Sequence, residues 1–149
     1  MSLQQNVMEA MKAAMKAKDT QALEALRSVK SALLLAQTET GSKTEISEAE
    51  EIKILQKQVK QRKDSAELYK AQGREDLAAP ELTQAKVIEQ FLPQQLSIEE
   101  INKIVAQIIA ETGASSMADM GKVMGLASAK LAGKADGKTI STVVKSRLS

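Results

Sequence analysis

Cysteine and histidine are both absent from the 149 residues. Their absence excludes disulfides, the common zinc sites, Ser-His triads and thiol nucleophiles. Any catalysis would have to use Ser, Lys, Asp, Glu or Tyr. The aromatics are Tyr69 and Phe91 alone, which removes the stacking platform that readers of unpaired bases use. Two prolines and seven glycines are too few breaks for a many-turned β fold. No apolar run approaches the roughly 18 residues of a membrane span. Glu9, Lys12, Lys16 and Lys18 interrupt any N-terminal signal segment. A cytoplasmic bacterial protein without metal or cofactor is the expectation.

What remains is 43% hydrophobic, drawn from Leu, Ile, Val, Met and Ala, a palette that favours helices over strands. Helical periodicity runs through nearly every segment, so the predicted fold class is all-α. Val7, Met8, Met11 and Met15 mark a first helix over 2–17. Asp19 reads as the N-cap of a second, to about Glu39, carrying Leu23, Leu26, Val29, Leu33 and Leu34. "TGSKTE" (40–45) has loop composition. Ser47 and Glu50 form a capping-box pattern before a helix spanning 47–72. Its apolar seam of Ile52, Leu55, Val59, Ala66 and Tyr69 includes Arg62, which is read as a snorkelling or ion-paired residue or as an RNA contact. Lys53, Lys57 and Lys60 lie opposite. A fourth helix over 74–92 faces inward with Leu77, Ala85, Ile88 and Phe91, and kinks or begins at Pro80.

Pro93 and the capping pattern of Ser97 with Glu100 place a domain boundary, predicting an N-terminal helical domain over 1–93 and a C-terminal module over 97–149. Ile101, Ile104, Val105, Ile108 and Ile109 face inward on the module's first helix. Its second restarts at Ser115 or Ser116 with Met117, Met120, Met124, Ala127 and Leu131 repeating at 3, 4, 3, 4, and the three methionines are read as core. Gly133 stops it, and Asp136 caps a last helix that buries Ile140, Val143, Val144 and Leu148.

Charge is uneven. From Met120 to Ser149 there are six basic residues and one acid, against an acidic excess in the preceding 119. Such a tail is either a solvated face or a surface that meets an anion. "AGKADGKT" (132–139) loosely fits a phosphate-binding loop. That chemistry needs a strand before the glycines, and a helix precedes them here. The stretch reads as a helix stop followed by an N-cap.

"FLPQQLS-EE" from Phe91, then "DMGKVMG", then "GKADGKTISTVVKSRL" resemble the YqeY-like proteins, as does "REDL" at 74–77. The order and density of these motifs over 91–148 make the match specific, and it covers nearly the whole chain. The resemblance extends to the GatB/YqeY-type tail of the B subunit of tRNA-dependent amidotransferase. It implies long helical hairpins followed by a compact three-helix C-terminal module, and a tail that helps hold tRNA. A carbon–nitrogen ligase label with glutamine as amido donor attaches to the family, while the catalytic parts of the amidotransferase have no counterpart in this chain.

Gly121, Lys122 and Gly125 match the family's Met-Gly-Lys block, and Asp136 and Gly137 match its turn. The two glycines, four apart, suit either close helix packing or RNA contact. Lys122, Lys130, Lys138 and Lys145 point away from the apolar faces of their helices and are the candidate phosphate contacts. Three functions compete: a non-catalytic module that binds tRNA or other structured RNA, a protein-interaction adaptor using the 47–72 helix, and an amidotransferase-type enzyme. The missing residue types argue against the last.

Overall fold

The computed structural model describes residues 2–39 and 46–149. Among these the fold is all α, with seven α-helices, one 3-10 turn and no strand. The loop read at 40–45 lies outside the described residues. The chain forms two compact units, Met1–Leu92 and Pro93–Ser149.

The first unit holds α1 (Leu3–Ala17), α2 (Thr20–Glu39), α3 (Glu48–Ala71) and α4 (Glu75–Glu89). A reciprocal capping box opens α1: the Gln5 N–H donates to Ser2 Oγ at 3.2 Å, and the Ser2 N–H donates to Gln5 Oε1 at 2.9 Å. The helix ends at Lys18, whose φ of 55° is left-handed. An L side chain there costs about 1–2 kcal/mol, which is why glycine usually takes such a place. Asp19 Oδ1 then accepts from the Ala22 N–H at 3.0 Å and caps α2.

The unit's core gathers Val7, Leu26, Val29, Leu33, Leu55 and Ile88 from all four helices. The α3–α4 contact is the most extensive, and α2 packs against both α1 and α4. Ser47 caps α3 by accepting from the Glu50 N–H. Along α3, Leu55, Val59 and Ala66 are buried, with Ile52, Arg62 and Tyr69 half-buried beside them. The seam therefore packs within the unit, while Lys53, Lys57 and Lys60 are exposed. Gly73, at φ 73°, follows the helix.

The helix α4 begins at Glu75, close to the start of the 74–92 span, and carries Pro80 inside it rather than beginning there; the N–H groups of Leu77 and Ala78 both donate to the Arg74 carbonyl and start the first turn. One expectation for α4 is corrected, its inner face. Ala78, Gln84, Ala85 and Ile88 are buried, and Leu77 is 37% exposed.

Arg62 is held by amides. Its Nε donates to Gln84 Oε1 at 3.1 Å, and its Nη1 donates to the Gln58 carbonyl at 3.1 Å and to Gln58 Oε1 at 2.7 Å. Gln84 Nε2 donates onward to Gln21 Oε1, and Ser28 Oγ donates to Gln58 Oε1. The network ties α2, α3 and α4 together. Burial pulls the guanidinium below its usual range, and the charges of Glu81 and Glu24 pull the other way. With its fork turned into this network, Arg62 is a structural residue.

Candidate nucleic-acid interface

The second unit is built from α5 (Ile98–Thr112), a 3-10 turn at Met117–Asp119, α6 (Met120–Lys130) and α7 (Gly137–Leu148). Ser97 Oγ accepts from the Glu100 N–H to cap α5, and left-handed Gly113 ends it. The strongly amphipathic pattern of α5 buries Ile101, Val105 and Ile108. They meet Val123, Ala127 and Leu131 of the α6 segment and Ile140, Val143, Val144 and Leu148 of α7.

The methionine stripe does not centre the α6 face. Met117 is 41% exposed, and Met120 and Met124 are only partly buried, at the edge of the core. Ser116 accepts from the Ala118 N–H and forms a 3-10 turn, so α6 starts three residues later than a helix from Ser116 would. Ala127 and Leu131, the last two members of the expected stripe, are fully buried, and Val123 joins them.

After α6 the chain turns at Gly133, with φ 77°. The Leu96 N–H donates to the Lys134 carbonyl at 3.0 Å, and Gln95 Nε2 donates to the Gly133 carbonyl at 2.7 Å. These bonds pin the segment before α5 onto the α6–α7 connection. Asp136 Oδ1 then accepts from the Thr139 N–H and caps α7. Gly137 is the first residue of that helix. "AGKADGKT" thus joins two helices, and its backbone is occupied by caps and turns.

Lys122, Lys130, Lys138 and Lys145 are all exposed. Among the described residues no ion pair engages any of them; the ion pairs there are Lys60–Asp64, Lys63–Glu89 and Arg74–Asp76. Lys138 and Lys145 sit two turns apart on α7, with Thr142 between them on the same side. Arg147 differs, since its Nε donates to Asn102 Oδ1 on α5 at 3.1 Å. Lys134 is one of the six basic residues of the tail but is not among the four candidate contacts. It is exposed on the connection between Lys130 and Lys138, and its place in the same lysine-spaced run is the signal that marks it. Asp136 lies within this run, between Lys134 and Lys138, where it caps α7; the other acids of unit two are Glu99 and Glu100 at the start of α5, Glu111 near its end and Asp119 before α6.

The glycines behave differently from the close-packing reading. Gly121 and Gly125 are exposed, and a Cβ built on either would meet nothing within 4 Å. Among the described residues of unit two, neither supports a neighbouring helix. The outer side of α6 is therefore a small-residue surface with Lys122 beside it.

This is a two-unit, all-helical protein whose described residues contain no metal-binding cluster and no helix long and apolar enough to cross a membrane. It belongs to the Yqey-like protein family, whose model matches residues 4–148. Among curated proteins it is similar to the E subunits of the Glutamyl-tRNA(Gln) amidotransferases of Thermococcus gammatolerans and Thermococcus sibiricus. Each is 38% identical over 73 residues. The aligned stretch is 46% of this chain and 12% of either relative.

Proposed function

We propose that the chain is a non-catalytic accessory protein that binds tRNA or another structured RNA through the cations of α6 and α7. The observation that carries this reading is the set Lys122, Lys130, Lys138 and Lys145, exposed and without ion pairs among the described residues. Lysine ammonium groups without aromatic neighbours suit phosphates rather than bases, so the contact is positioning, not sequence readout. The likeness to one component of a tRNA amidotransferase supports tRNA as the polyanion. The chemistry for which that relative is named belongs to a protein of which the alignment covers 12%, and turnover is not part of the proposal.

Titration of labelled tRNA at several salt concentrations tests the reading. With about three to four phosphates neutralised, the log–log slope is expected at roughly −2 to −3. Replacing Lys122, Lys130, Lys138 and Lys145 with Gln together flattens the slope and leaves helicity intact. Absence of binding at low salt, or unchanged binding by the quadruple variant, removes the proposal.

A further inference from the structure

Unit one carries a surface that RNA binding leaves unused. A groove of about 250 Å³ runs between α1 and α2, lined by Gln4, Val7, Met8, Lys30, Leu33 and Leu34. Its edges are apolar and open: Met8 is 41%, Leu34 48% and, further along α1, Met15 54% exposed. The two helices present matching stripes. Gln4, Met8, Met11 and Met15 on α1, and Leu23, Arg27, Lys30 and Leu34 on α2, both recur at i, i+4, i+7 and i+11, one face of a helix.

The charge on this face has one sign. Lys12, Arg27 and Lys30 are exposed, and no ion pair among the described residues engages them. At 100° per residue, Glu9, Glu24 and Glu39 project about a quarter turn or more from the middle of the stripes. Asp19 is committed to capping α2. Among the described residues of its own unit, the concave apolar floor and its cationic rim have no ion-paired complement.

We infer that this groove docks an amphipathic helix of a partner protein whose apolar stripe is flanked by carboxylates. Two packed helices leave a groove into which a third lays its ridge. The flexible methionine side chains adapt to that ridge, and Arg27 and Lys30 on one side with Lys12 on the other select acidic flanks. A second copy of the chain pairing face to face would set cations against cations, because a two-fold interface brings the same patch of both copies together. The inference does not rest on the RNA reading, since its residues all lie in the other unit.

The test uses the full chain and two fluorescein-labelled helical peptides of about 15 residues. Both carry Leu at i, i+4, i+7 and i+11; one has Glu on both flanks and the other Lys. Anisotropy is expected to show the Glu peptide binding at least about tenfold more tightly than the Lys peptide. Leu34→Glu weakens Glu-peptide binding by about tenfold or more with helicity unchanged. Arg27→Glu with Lys30→Glu reverses the preference between peptides. The inference is overturned by equal affinity for the two peptides, or by no binding at millimolar concentration. It is also overturned by indifference to Leu34→Glu, by a preference that survives charge reversal, or by self-association of the free chain that Leu34→Glu abolishes. Loss of tRNA binding in the charge-reversed variant without any peptide binding gives the surface to RNA and likewise ends it.

Discussion

Arg62 on α3 donates through Nε to Gln84 Oε1 on α4 at 3.1 Å, and Gln84 is only 8% exposed. A charged group is thus held in the helix interface by neutral amides. Removing the donor by Arg62→Ala leaves the buried Gln84 Oε1 short of a partner, while the Gln58 carbonyl keeps its backbone bond within α3 and Gln58 Oε1 keeps Ser28 Oγ. Loss of about 1–3 kcal/mol is expected, the desolvation cost of an unsatisfied buried acceptor. Urea denaturation reads it as a lower midpoint at unchanged slope. Arg62→Met combined with Gln84→Leu costs less than the sum of the single changes, because neither partner is left buried alone.

Lys18 occupies a left-handed place that glycine fills more easily. Lys18→Gly is expected to stabilise the chain by about 0.5–1 kcal/mol, the relief of Cβ strain less the added freedom of the unfolded chain. Lys18→Val shifts stability the opposite way, since a branched side chain fits that conformation worst. Thermal denaturation of the two variants distinguishes this from an effect of the lost charge, which both share.

Gly121 and Gly125 have open space where a Cβ would stand. Gly121→Ala and Gly125→Ala should each raise stability by about 0.5–1 kcal/mol through helix propensity. A loss of stability instead would mean that the bare backbone serves packing inside the chain. Denaturation midpoints of the single and double variants decide the sign.

The pair Arg74–Asp76 gives a pH signature. Arg74 donates through Nε and Nη2 to the two Asp76 oxygens at 3.0 Å each, and this holds the carboxyl below the usual Asp range. A folded pKa below the unfolded one contributes stability above the ordinary value of about 3.9, and loses it as pH falls through the depressed value. Carbon-detected NMR titration of Asp76 should show an early midpoint that Arg74→Gln moves up. Because the pair is fully exposed, high salt should move it up as well.

The helices are legible in the sequence because their signals are local. Ser47, Ser97, Asp19 and Asp136 each accept the backbone N–H that their sequence position foretells. Periodicity alone identifies Leu55, Val59 and Ala66 as one buried face. The errors fall between sequence neighbours, which lie about 100° apart on a helix, because periodicity does not say which of two adjacent apolar stripes meets the core. Thus α4 buries Ala78 rather than Leu77, and Val123 is buried while Met117 stands in the 3-10 turn before α6. The Arg62 network is illegible for another reason. Its partners Gln21, Ser28, Gln58 and Gln84 come from three helices, and a glutamine in a helical pattern does not announce a distant contact. The capping box of Ser2 with Gln5 escapes the sequence reading although its signal is present. Among the basic residues, composition marks a charged tail but does not separate Arg147, which is engaged by Asn102, from lysines without ion pairs among the described residues.

The α3–α4 contact joins two helices whose buried residues include Ala66 on one and Ala78 and Ala85 on the other. A seam with so little side-chain volume responds to mutation in either direction. Enlarging any of these three forces displaced rotamers or backbone, typically at about 1–3 kcal/mol. Trimming one to glycine loses the methyl contact and about 1 kcal/mol of helix propensity. The alanines are therefore held from both sides, and a displacement there reaches Arg62 and Gln84, which span the same helix pair.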